Sequence, residues 1–151
     1  MTSIPDNMER RKIYRVLISV SDKTKIVNLA KELNKLDIEI VSTGGTSQAI
    51  LNEGINVISV DSVTNFPEMM GGRVKTLHPL IFGGILARDE DNKEVEEHNI
   101  ELFDMIICNL YPFREAVSKG VDSESLIEQI DIGGPSLLRA SAKNHARVTV
   151  V

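Results

Sequence analysis

The side chains that could do chemistry fall in short polar segments between apolar runs. Thr43-Gly44-Gly45-Thr46 joins two glycines to two hydroxyls. Such a turn lets backbone approach an anion closely while helix-N-terminal amides donate to it. Ser19, Ser21, Asp22 and Lys23 form a second segment. A lysine at the start of a helix opposes the helix dipole, a cost that an anion held between them would remove. Arg73-Val74-Lys75-Thr76 sets two cations beside Gly71 and Gly72. Cys108, Asn109, Tyr111 and Pro112 follow an apolar run, while Asp131, Ile132 and Gly133 open a helical stretch that carries Lys143. Read singly, each has a plainer explanation: a tight turn, a solvated lysine, a basic loop, a core thiol, an N-terminal capping aspartate, a last-turn lysine. His78 and His145 read as structural, and Met69 and Met70 as packing residues. No His, Cys, Asp or Glu spacing resembles a metal site.

The elements that must position these residues alternate in type. Ile13 to Val20, Ile38 to Val41, Val57 to Val60, Phe103 to Asn109 and Val148 to Val151 read as strands, the last as a core strand. Residues 24–36 place Ile26, Leu29, Ala30, Leu33 and Leu36 at helical spacing. Residues 47–52, 79–88, 89–99, 112–118, 122–130 and 132–143 read as further helices. Asp122 reads as an N-cap, and Pro112 sits near the first position of its helix. Strands separated by helices imply right-handed crossovers and a parallel sheet covered on both faces. In such a sheet, ligands collect where strand C-terminal ends run into helix N-termini, which is where the polar segments fall.

The 151 residues suffice for one domain and not for two. Residues 1–12 read as an N-terminal tail and 13–151 as the domain. The formal net charge of -5 argues against a general nucleic-acid binder, so an anionic ligand must be held locally. No apolar run approaches membrane-spanning length, no secretory signal core is present, and the single cysteine fits a reducing, cytoplasmic setting. Stopping on what reads as a core strand is the mark of a piece of something longer.

Taken together, SVSDKT (19–24), STGGT (42–46), FPEMMGGRVKTLHP (66–79), CNLYPF (108–113) and QIDIGGPSLLRASAKNHARVTVV (129–151) closely resemble one enzyme family. It is the N-terminal IMP cyclohydrolase half of the bifunctional AICAR transformylase/IMP cyclohydrolases of purine biosynthesis. The match runs in order from about Tyr14 to Val151. GGRVKTLHP and IDIGG…RA.AKNH are the specific strings. The resemblance implies a methylglyoxal-synthase-like, Rossmann-like three-layer α/β fold and a homodimer. It implies that a purine nucleotide is bound by Ser21 to Lys23, Thr43 to Thr46, Arg73 to Thr76, Cys108 and Asn109, and Asp131 and Ile132, with Ser19 and Gly133 alongside. It also implies that Lys143 is the proton donor and acceptor, with Lys75, Tyr111 and Asp131 around the reacting groups. The family's domain continues beyond this point and a transformylase domain follows it, so formyl transfer from a folate is not expected here.

The expected reaction closes a formylamino imidazole carboxamide nucleotide into inosine monophosphate with loss of water, using no metal or organic cofactor. Lys75 would meet the formyl oxyanion, and Arg73 and Thr76 would hold the substrate. Lys143, oriented by Asp131, would shuttle the proton while Tyr111 assists. Lys23 and the TGGT turn would take the 5'-phosphate. Methylglyoxal synthase, with its carboxylate and histidine chemistry, shares the expected fold but not RVKTLHP or IDIGG. A non-catalytic effector-binding module and an inactive fragment remain as alternatives.

Overall fold

The computed structural model describes residues 11–151. The expected N-terminal tail therefore lies, over residues 1–10, outside the described residues. At residue 11 the chain is already tied to the domain, because the Arg11 guanidinium pairs with Asp89.

A five-stranded parallel sheet runs through the molecule in the order β3-β2-β1-β4-β5. Its strands are β1 (Arg15–Ser19), β2 (Glu39–Ser42), β3 (Ile58–Ser59), β4 (Met105–Cys108) and β5 (Thr149–Val150). Alternation along each strand sends side chains to opposite faces. Val16, Ile18, Ile40 and Ile107 point into one apolar cluster, and Leu17, Val41 and Ile106 into the other. Burying each such side chain is worth roughly 1.5–3 kcal/mol. The first cluster is completed by helices α1 (Ile26–Lys35) and α2 (Gly44–Leu51). The second is completed by α3 (Val60–Thr64), α4 (Pro79–Leu86) and α8 (Gly133–Lys143). Helices on both faces of a parallel sheet make the expected Rossmann-like three-layer α/β fold. The short helices α5 (Asn92–Glu97), α6 (Phe113–Ser118) and α7 (Ser123–Glu128) lie between these elements in the chain.

Several boundaries differ from the periodicity reading, each for a physical reason. Helix α1 ends at Lys35, so Leu36 is exposed; Asp37, at φ 55°, then turns the chain back. Helix α2 takes both glycines of TGGT into its first turn instead of starting after them. Helix α3 occupies what reads as loop, with the Ser59 hydroxyl accepting from Ser62 N. Pro112 is the N-cap of α6, one residue earlier than expected. Met70 is 71% exposed and Met69 37%, so neither packs as expected. Thr149 and Val150 are exposed, so β5 is an edge strand and only Val148 before it enters the core.

The two guanidiniums buried among the described residues stand at or just before the N-terminal ends of strands, away from the polar loops at the strand C-terminal ends. Arg15 opens β1, pairing with Glu39 and Glu101 and lying over the Phe103 ring. Arg147 donates to the carbonyls of Ala87 and Gly84 at 2.9 and 2.6 Å, which caps the end of α4. These groups serve the scaffold, and the strand C-terminal edge is left to the site.

Candidate functional site

Strand β1 lies where the chain order reverses: β2 and β3 extend to one side and β4 and β5 to the other. Loops leaving β1 and β4 must therefore diverge, which opens a crevice at their C-terminal ends. A cleft of about 830 Å³ occupies that place. This is within the size range of small-molecule sites.

Asn109 sets the spacing of the crevice walls. Its carboxamide oxygen accepts from Ser21 N (2.8 Å), Asp22 N (3.1 Å) and Ser21 Oγ (3.2 Å), and its nitrogen donates to Asp22 O (2.9 Å). Ser21 Oγ also donates to Leu110 O. The β1 and β4 loops are thus stapled by side chains that read from sequence only as ligand contacts. Asp22 itself turns away into a local loop bond, accepting from Thr24 N at 2.8 Å. Hydrogen bonds from Thr24 hold its pKa below the usual carboxylate range.

The TGGT turn forms one wall. Thr43 is the extended N-cap of α2, and the first amides of a helix have no intrahelical acceptor, so they face outward. Thr43, Gly45 and Thr46 line the cleft. The Thr46 hydroxyl donates to Val20 O at 3.1 Å, binding this turn to the end of β1. Two lysines approach the same turn. A Cβ on Gly45 would lie 3.5 Å from Lys23 Cε, and one on Gly44 would lie 3.2 Å from Lys75 Nζ.

The opposite wall is the start of α8. Asp131 accepts from Gly134 N at 2.8 Å and from Tyr111 N at 3.2 Å, fastening the β4 loop to the helix. Gly134 is required by this approach, since a Cβ there would stand 2.6 Å from Asp131 Oδ2. Ile132 and Gly133 line the same wall, and Thr76 Oγ1 would lie 3.2 Å from a Cβ on Gly133. Arg73 reaches across the cleft mouth to α7, with Nη2 at 2.9 Å and Nε at 3.3 Å from the Glu128 carboxylate.

Fourteen expected residues thus share one cavity: Ser19, Ser21, Lys23, Thr43, Gly45, Thr46, Arg73, Lys75, Thr76, Asn109, Tyr111, Asp131, Ile132 and Gly133. Others stand beside it. Gly44 underlies Lys75, and the Val74 carbonyl accepts from Met69 N in the turn. Cys108 ends β4 against the core, and burial, aided by the charge of Asp131, pushes its thiol up to about 11. Lys143 departs furthest from expectation. It is exposed in the last turn of α8, an 11-residue helix whose first residues line the cleft. At about 1.5 Å per residue it stands roughly 15 Å along the axis from them. Asp131, at the other end of the helix, faces the backbone amides of Gly134 and Tyr111.

The family model of the MGS-like domain matches residues 25–136. The chain belongs to the MGS-like domain family. Within it, the chain is 58% identical over 141 residues to the bifunctional purine biosynthesis protein PurH of Streptococcus pneumoniae strain 70585. It is 57% identical over the same length to PurH of strain TIGR4. These matches cover 91% of this chain and 27% of each relative, so the chain spans about a quarter of their length. Among solved structures, ForH superposes with a TM-score of 0.76 at 32% identity, over 93% of this chain and 74% of that one.

This MGS-like domain also lines its cleft with residues that the sequence did not offer as site candidates. Glu128 and Gln129 come from the end of α7, and Gly71, Gly72 and Leu77 from the long loop. An acidic residue on a surface helix looks like any other; only the fold brings Glu128 to Arg73. His78, the histidine closest in sequence to the basic loop, spends its Nδ1 accepting from Leu80 N at the start of α4. No helix among the described residues is long and apolar enough to cross a membrane.

Proposed function

We propose that this chain is the IMP cyclohydrolase part of a bifunctional purine-biosynthesis enzyme. It closes 5-formamidoimidazole-4-carboxamide ribonucleotide to inosine monophosphate and releases water. One observation carries the reading: Lys23 and Lys75 flank a glycine turn in the same cavity as Asp131 and Tyr111, in a chain 58% identical to PurH.

The carboxamide nitrogen attacks the formyl carbon within one molecule, and the carbinolamine formed then loses water. Enzymatic help comes from fixing conformation, stabilising charge on the formyl oxygen and moving protons. Lys23 and the amides at the start of α2 hold the 5'-phosphate. Arg73 and Thr76 fix the substrate, Lys75 meets the developing oxyanion, and the Tyr111–Asp131 edge receives the carboxamide. Asn109, Ser19 and Ser21 shape the ribose side of the crevice, with Cys108 behind it. No cofactor enters the scheme.

Lys143 fits this scheme only from a second protomer, because its own helix carries it away from its own cleft. A homodimer in which α8 of one copy reaches the cleft of the other is therefore part of the proposal. For a lone protomer the same placement favours a second reading, nucleotide binding without turnover. Single-turnover cyclisation followed by purine ultraviolet absorbance, run beside inosine monophosphate binding, separates the two. Turnover that falls roughly a hundredfold in Lys75→Ala and in Lys143→Ala supports the first reading. Tight nucleotide binding with no turnover at any protein concentration leaves only the second.

A further inference from the structure

Lys75 stands on a partition. The cleft and a neighbouring cavity of about 230 Å³ share Lys75 and Leu77 as lining residues. Glu68 lines only the smaller cavity, and its Oε1 lies 3.0 Å from Lys75 Nζ. The two side chains are 29% and 34% exposed, whereas both partners in the pairs Lys31–Glu53, Lys35–Glu32 and Lys119–Glu115 are at least 45% exposed.

The pair is also seated on glycines from two separate segments of the chain. A Cβ on Gly72 would fall 2.4 Å from Lys75 Cε and 2.7 Å from Glu68 Oε1. Gly72, at φ +91°, adopts a conformation other residues rarely take, so its position suits glycine twice over. On the other side, a Cβ on Gly44 would meet Lys75 Nζ at 3.2 Å and Glu68 Oε2 at 3.9 Å. A lysine side chain has four rotatable bonds and would otherwise sample many positions. An ammonium has three N–H donors, and a carboxylate behind it engages one and leaves the others for the cleft.

We propose that Glu68 is a positioning residue for the reaction: it holds the Lys75 ammonium from the smaller cavity, over the Gly44–Gly45 turn. It acts on the substrate only through that lysine. This rests on the reading of Lys75 as the donor to the oxyanion.

The test is a cycle of Glu68→Gln, Lys75→Met and the double variant in this chain, with kcat, KM and thermal melting measured for each. Expected is an about tenfold loss of kcat in Glu68→Gln, with KM within about twofold, as misplacement of a reacting group would give. Glu68→Asp, which keeps the charge on a shorter arm, recovers part of that loss. In the Lys75→Met background, Glu68→Gln costs nothing further. An unchanged kcat in folded Glu68→Gln, or the same loss in both backgrounds, overturns the proposal while leaving Lys75 in place. Full activity in Lys75→Met overturns instead the reading on which it rests. Should Glu68→Gln not fold, Glu68→Asp measured in both backgrounds closes the same cycle, and its outcomes support or overturn the proposal in the same way.

Discussion

Cys108 ends a strand beside the cleft, where a thiolate would be a natural nucleophile. Its surroundings work against that role. Burial and the nearby Asp131 carboxylate push the thiol up to about 11, so at pH 8 it holds roughly a hundredfold less thiolate than an ordinary cysteine. Alkylation by iodoacetamide at pH 8 is expected to be slower by about that factor than for a free thiol, with thiol loss read by mass spectrometry. A raised thiol pKa favours the neutral, folded form. This contribution is complete below the ordinary value and disappears as the pH climbs through about 11. The cysteine was legible in sequence as a core residue, and the core cluster includes it at its margin. The partners of single charged residues were not legible: nothing in their types tells that Glu128 meets Arg73 or that Glu68 meets Lys75.

At the scale of elements, the helix starts and loop ties decide what the cleft walls can do. Asp122 was readable as an N-cap because a short acceptor before a helical pattern has few other uses, and its carboxylate does accept from Ser125 N at 2.9 Å. Hydrogen bonds from the Ser125 amide and hydroxyl hold its pKa below the usual value. A depressed folded value means the stabilisation is present above the unfolded pKa and is lost as pH falls through the folded one. Asp122→Asn keeps an acceptor but removes the titration. The fall in urea midpoint between about pH 5 and pH 3 is therefore expected to be shallower in that variant. Asn109 teaches the opposite lesson. Sequence offered it as a ligand contact, whereas its amide spans the β1 and β4 loops, a pairing that becomes visible only once the strand order is known. Asn109→Ala is expected to lower stability by about 1–2 kcal/mol, read by denaturant melts, and to weaken nucleotide binding as the crevice walls separate. The parallel sheet itself was legible from alternating apolar runs and amphipathic stretches. The edge status of β5 was not, since Val148 to Val151 reads the same in the middle of a sheet as at its margin.

The whole molecule gathers loops from distant parts of the chain into one crevice, and a linear string shows such convergence only through strand order. That order explains which of the expected residues come together and which stand apart. Segments following β1, β2 and β4 arrive together because they leave the same edge of the sheet. Lys143 belongs to a helix that begins at that edge and runs away from it. If a second protomer returns Lys143 to the cleft, mixing Lys75→Ala with Lys143→Ala protomers rebuilds one intact site in each mixed dimer. Random pairing then gives about a quarter of the wild-type activity from two nearly inactive variants. Cyclisation measured before and after co-refolding the mixture checks this, and a mixture no more active than its components rules out the shared site.

The register of the central strand also governs how the protein comes into being. Val16 pairs with Ile40 on one side and with Met105 on the other. A chain leaving the ribosome can complete the first pairing early, but β1 keeps an open hydrogen-bonding edge until β4 has been synthesised. Through that interval the nascent half-sheet presents an apolar template to any strand it meets, so translation speed across residues 43–104 sets how long it stays vulnerable to aggregation.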